Sequence, residues 1–131
     1  MFLGRRIAAA ALVLGLFCAP VLAADLTPSP VGTWVSADGK TRVKVTLCGD
    51  GTQLCAKLTG LSGDAKTAEN VQLLNHYVVD RADKASDSIW KGVVHFDGKT
   101  AEGNIELSSN NVIMLSGCQM GMCRTFEFRR V

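Results

Sequence analysis

The chain has 131 residues, 47% of them apolar, with a formal net charge of +2. That length allows one small domain with one core and little more. Arg5 and Arg6 lie at the extreme N-terminus, and without them 12 Lys+Arg balance 12 Asp+Glu. A balanced chain lacks the basic stripe that releases counterions on nucleic acid, so that partner class is excluded.

The chain opens MFLGRRIAAAALVLGLFCAPVLAAD. A short basic region, an apolar run from Ile7 to Phe17, the break at Pro20 and small residues before a cut form the layout of a secretory signal. The run is shorter than the roughly 20 residues of a membrane-spanning helix. Cleavage is expected after Ala23 or Ala24, which leaves no stable membrane anchor. Cys18 follows the bulky Phe17, unlike a lipid-bearing cysteine, and leaves with the signal. The expected organisation is a signal peptide over 1–23, a flexible leader over 24–30 and a single domain over 31–131.

From residue 32 the chain reads as short strands with apolar residues at every second position. A first strand covers 32–37. Val43, Val45 and Leu47 then alternate with Arg42, Lys44 and Thr46, and Leu54, Ala56 and Leu58 with Cys55, Lys57 and Thr59. Residues 61–72 are polar and suit a loop or one helical turn. A strand is expected near 73–80 and a solvated loop over 82–88. Trp90, Gly92, Val94 and Phe96 share one face of the next strand. Ala101, Gly103, Ile105 and Leu107 share one face of the strand after it. Ile113 and Leu115 mark a short strand, and Phe126, Phe128 and Arg130 share a face of the last. Asp38-Gly39, Gly49-Asp50-Gly51, Asp97-Gly98 and Asn110-Asn111 supply the tight turns between them. The pattern predicts an all-β fold: a small up-and-down antiparallel β-barrel of about eight strands, following the cleaved signal helix. Alternation fits a two-sheet sandwich equally well.

After signal removal four cysteines remain, an even number suited to disulfides in an exported chain. Parity turns Cys48 and Cys55 outward on adjoining strands, and does the same for Cys118 and Cys123. The predicted pairs are Cys48–Cys55 and Cys118–Cys123, each stapling one hairpin for roughly 2–2.5 kcal/mol. A four-residue spacer in a turn does not suit a thiol oxidoreductase, which uses two at a helix N-terminus. The cluster Met114, Cys118, Met120, Met122 and Cys123 offers sulfur to Cu(I), but oxidised cysteines supply no thiolate and methionines also fill apolar gaps.

Other chemistry finds little footing. His76 and His95 lack metal-ligand spacing, no Gly-x-Ser-x-Gly elbow or phosphate loop occurs, and the carboxylates are scattered. The expectation is a non-enzymatic protein without metal or cofactor. Arg124 and Arg130 share parity with Phe126 and Phe128 and so face inward. Arg130 is expected to stack on Trp34 and seal one end. Arg124 is a candidate anchor for an anionic ligand inside the barrel. The candidate ligand-binding residues are Trp34, Trp90, Phe96, Arg124 and Phe126. The small inward residues Ala56, Gly92, Ala101 and Gly103 fit either an open cavity or a tightly closed barrel.

The segments VGTWVSADGKTRVKV, LCGDGTQLCAKLTGL, IWKGVV and CRTFEFRRV resemble the bacterial exported family catalogued as domain of unknown function 2147, from Val31 to Val131. Gly32, Trp34, Cys48, Gly49, Leu54, Cys55, Trp90, Gly92, Arg124 and Arg130 occupy that family's recurring positions. Phe128 stands where the family usually has tryptophan, the middle loop is shorter, and the second cysteine pair is additional. The resemblance implies a lipocalin-like barrel in the periplasm and no particular activity, with Gly32 and Arg130 in structural roles. Three functions fit these residues. The first is a monomeric binder of a small apolar or anionic molecule. The second is a module for a periplasmic protein partner, such as an inhibitor of a cell-wall enzyme acting through the SADGK turn. The third is a Cu(I) carrier.

Overall fold

In the computed structural model the chain forms a closed antiparallel barrel in which every strand pairs with its sequence neighbours and the last pairs with the first. The structure describes Gly15 and residues 28–131, so the expected signal peptide, apart from Gly15, and most of the expected leader lie outside the described residues. The strands are β1 (Gly32–Ser36), β2 (Thr41–Cys48), β3 (Gln53–Leu61), β4 (Tyr77–Ser86), β5 (Ile89–Phe96), β6 (Lys99–Ser109), β7 (Val112–Gln119) and β8 (Met122–Arg130). Closure removes the sandwich alternative. β1 meets β8 through Trp34↔Arg130, Val35↔Arg129 and Ser36↔Phe128.

The alternation places the core as expected. Trp34, Val43, Val45, Leu54, Ala56, Leu58, Val94, Ile105, Leu107, Ile113 and Phe128 pack together inside. Arg42, Lys44, Lys91, Glu102 and Arg129 are exposed outside. Apolar within and charged without is the reverse of a lipid-spanning barrel. Leu47 departs from the pattern: it has inward parity but is exposed, because it sits where β2 runs out into the Gly49–Gly51 turn.

β4 corrects the expected boundaries. It begins at Tyr77, and it continues through Ser86 where a loop was expected. The late start follows from the turn that ends α1, where Asn75 takes a φ of 65°, and a bulge explains the second error. Leu54 pairs with Ala82 and Ala56 with Val79, so β4 carries one residue more than β3 between these rungs. Arg81 takes a left-handed φ of 53° there. The bulge resets parity, so Val79 and Ala82, three apart, both point inward. Strict period-two reading therefore fails across this strand.

A single 3₁₀ turn (Gly63–Ala65) and a short helix α1 (Ala68–Gln72) connect β3 to β4. Thr67 caps α1 by accepting from the Asn70 N–H at 3.1 Å. The fully buried Asn70 ties this connection to the β5–β6 turn. Its Nδ2 donates to the Ala65 carbonyl at 2.9 Å and to Asp97 Oδ1 at 2.8 Å, and its Oδ1 accepts from the Asp97 N–H at 2.9 Å.

Both disulfides form as paired in the sequence reading. Cys118 lies directly opposite Cys123, whereas Cys48 and Cys55 are diagonal, with Gln53 and Thr46 as their ladder partners. Cys55 points away from the core cluster yet is only 3% exposed, because the β4 bulge folds over it and brings the Arg81 N–H to 3.3 Å from its sulfur.

Candidate functional site

One end of the barrel is sealed. The Arg130 guanidinium lies 4.4 Å from the Trp34 ring centroid. Its Nε donates to the Asn110 carbonyl at 2.8 Å, Nη1 to Val31 at 2.7 Å and Nη2 to Ser29 at 2.6 Å. Gly32 makes room for this arrangement, since a Cβ there would stand 2.7 Å from Nη1. Trp34 Nε1 donates to the Pro30 carbonyl at 2.9 Å. Trp90 closes the same end, with its Nε1 donating to the Thr52 carbonyl at 2.9 Å.

Above this floor is a cavity of about 340 Å³. Its inner wall is apolar, with Val43, Val45, Leu54, Leu58, Val79 and Ile105 contributing, Phe128 beside them and Trp34 forming the base. The small inward residues divide between the two roles open to them. Ala56 faces the cavity. Gly92 and Gly103 are filled instead: a Cβ on Gly92 would meet the Ala82 backbone at 2.8 Å, and one on Gly103 would run into the Val94 side chain. Ala101 packs beside Gly117.

The cavity opens at the other end, among the β1–β2 turn, the β3–β4 connection and the β5–β6 turn. Each of these contributes a carboxylate: Asp38, Asp64 and Asp97. Ser36 Oγ donates to Asp38 Oδ1 at 2.5 Å, and the Lys40 N–H donates to the same oxygen at 3.0 Å. These bonds, the hydroxyl's first, hold the Asp38 carboxyl below the usual carboxylate range. Lys40 Nζ pairs with Asp64 Oδ1 at 2.8 Å, and that hydrogen bond raises the lysine's pKa. Thr41 lies just inside the opening, 9% exposed and facing the cavity. Its hydroxyl makes no hydrogen bond among the described residues.

Of the five residues expected to line a ligand site, three line this cavity. Trp34 forms the base, Phe96 lies near the mouth, and Phe126 stands at the lip, 44% exposed. Trp90 is a correction: it is buried in the floor and absent from the wall. Arg124 is another. It has the inward parity expected of it, but it sits on β8 beyond the last β1 pairing, exposed and off the cavity wall. The sequence reading missed Asp38, Thr41, Asp64 and Asp97. Three of these lie in turns, where alternation assigns no side.

The fold and cavity together define a class: a small closed barrel with a sealed floor and an apolar interior open at one end. Within that class, a family model described as "Uncharacterized protein conserved in bacteria (DUF2147)" matches residues 32–130, and the chain belongs to that family. No curated protein and no solved structure matches the chain.

Proposed function

We propose that this protein is a non-enzymatic carrier or receptor that holds a small apolar molecule inside its barrel. The observation that carries this is the largely apolar cavity of about 340 Å³ above the Trp34 base, within the range of small-molecule sites. At about 30 Å³ per group, as for water, it takes roughly ten to twelve non-hydrogen atoms. The signal-like N-terminus and the two disulfides support the periplasm as its place of action.

The other functions read from the sequence find less support. An anionic ligand would need Arg124 on the wall, and the mouth carries carboxylates instead. The SADGK turn is engaged with its own rim through Asp38 and Lys40. For Cu(I), both hairpin cysteines are oxidised, and Met114 lies opposite Glu127, away from the tip that bears Met120 and Met122.

The test is calorimetric titration of the purified protein with 1-decanol, an eleven-heavy-atom probe. Saturable one-to-one binding is expected, and Ala56→Phe, which fills the cavity from β3, removes it. A folded wild-type protein that takes up no decanol would end this proposal.

A further inference from the structure

We propose that the natural ligand is a cationic amphiphile, an alkyl or aryl chain ending in a protonated amine, with the chain in the barrel and the ammonium in the mouth. This inference rests on the apolar-ligand reading above and adds the chemistry and orientation of the head.

Orientation follows from desolvation. The deep wall offers no polar side chain, so a polar group placed there loses its water without compensation. The polar end must therefore stay at the opening. There it meets acceptors. An ammonium brings three N–H donors and no acceptor. Asp38, Asp64 and Asp97 are each held through Oδ1: by Ser36 and the Lys40 amide, by Lys40 Nζ, and by Asn70. None of the three Oδ2 atoms has a partner among the described residues. Fixed carboxylates with one free oxygen each form a preorganised receptor for a cation.

Thr41 gives the independent sign of a ligand. The residue is nine-tenths buried and lines the cavity, and its hydroxyl is unpartnered among the described residues. A hydroxyl turned into an apolar cavity gains from a polar partner there, and a head group at the mouth supplies one. The cations near the opening do not reverse the sign. Lys40, the one cation paired at the rim among the described residues, lies between Asp38 and Asp64 and leaves two of the three carboxylate charges unbalanced, and Arg124 stands off the wall on β8.

The experiment compares n-decylamine, 1-decanol and decanoate by calorimetry at pH 7 on the same wild-type protein. Decylamine is expected to bind about tenfold more tightly than decanol, and decanoate more weakly than either. Added salt should narrow the gap. The double variant Asp38→Asn, Asp64→Asn should bring decylamine to within about threefold of decanol, both measured on that variant. Decanoate binding as tightly as decylamine would overturn the cationic head, as would an amine preference that survives the double variant. Either result leaves the apolar cavity standing. Failure of all three compounds on folded protein would instead remove the reading on which this one rests.

Discussion

Arg130 brings planar, forked donors to the barrel floor and finds three backbone carbonyls and the face of Trp34. A guanidinium satisfies this geometry and an ammonium does not. Arg130→Met should destabilise the protein by roughly 1–3 kcal/mol, and Arg130→Lys should recover little of it, as urea unfolding would show. Asn70 works at the mouth as Arg130 does at the floor, fully buried with three hydrogen bonds across two connections. Asn70→Ala strands the Asp97 amide and the Ala65 carbonyl, so a loss of about 2–3 kcal/mol is expected in the same measurement. Asp38 adds a pH dependence of known sign. Its folded pKa lies below the ordinary carboxylate value of about 4, so its contribution is present above that value and lost as pH falls through the lower folded one. The stability gap between wild type and Asp38→Ala should therefore be open at pH 7 and closed in strong acid. The Trp34–Arg130 contact was legible in the sequence, because a barrel closes only by pairing its first and last strands. Arg124 and Trp90 were misplaced for one shared reason: parity gives the side of a strand and not the height along the barrel axis.

At the scale of elements, regular hairpins were readable and irregular ones were not. β5 and β6 pair without a register shift from Ile89↔Glu106 to Phe96↔Lys99, and their period-two pattern is clean. β4 was misread because the extra residue at Arg81 breaks the period that defines a strand to the eye. That bulge also covers Cys55, so the two disulfides differ in their surroundings. Cys48–Cys55 is shielded on the Cys55 side, while Cys118–Cys123 crosses an exposed hairpin beside Met120, which is 97% exposed. A mild reductant should open Cys118–Cys123 first, as peptide mapping after alkylation would show. Losing that tip staple should lower unfolding free energy by only roughly 2–2.5 kcal/mol, since it closes a short loop at a hairpin end.

Viewed as one object, the barrel divides its labour along its axis. The floor spends its aromatic and guanidinium groups on closure. The middle is lined by aliphatic residues that leave space between them, and the rim carries the charges. A chain of this size gains stability from every buried contact, so an unfilled interior of about 340 Å³ leaves dispersion and burial unused. A core selected for stability alone would hold a larger side chain at Ala56, whose Cβ faces that space. Ala56→Phe should then raise the thermal midpoint by an amount equivalent to about 0.5–2 kcal/mol, the usual gain from filling a cavity. The same substitution should abolish decanol and decylamine binding. A variant that gains stability while losing ligand would mean that the void is maintained for its occupant. A variant that loses stability would mean instead that the surrounding wall, from Val45 to Val79, already packs too closely to admit a ring.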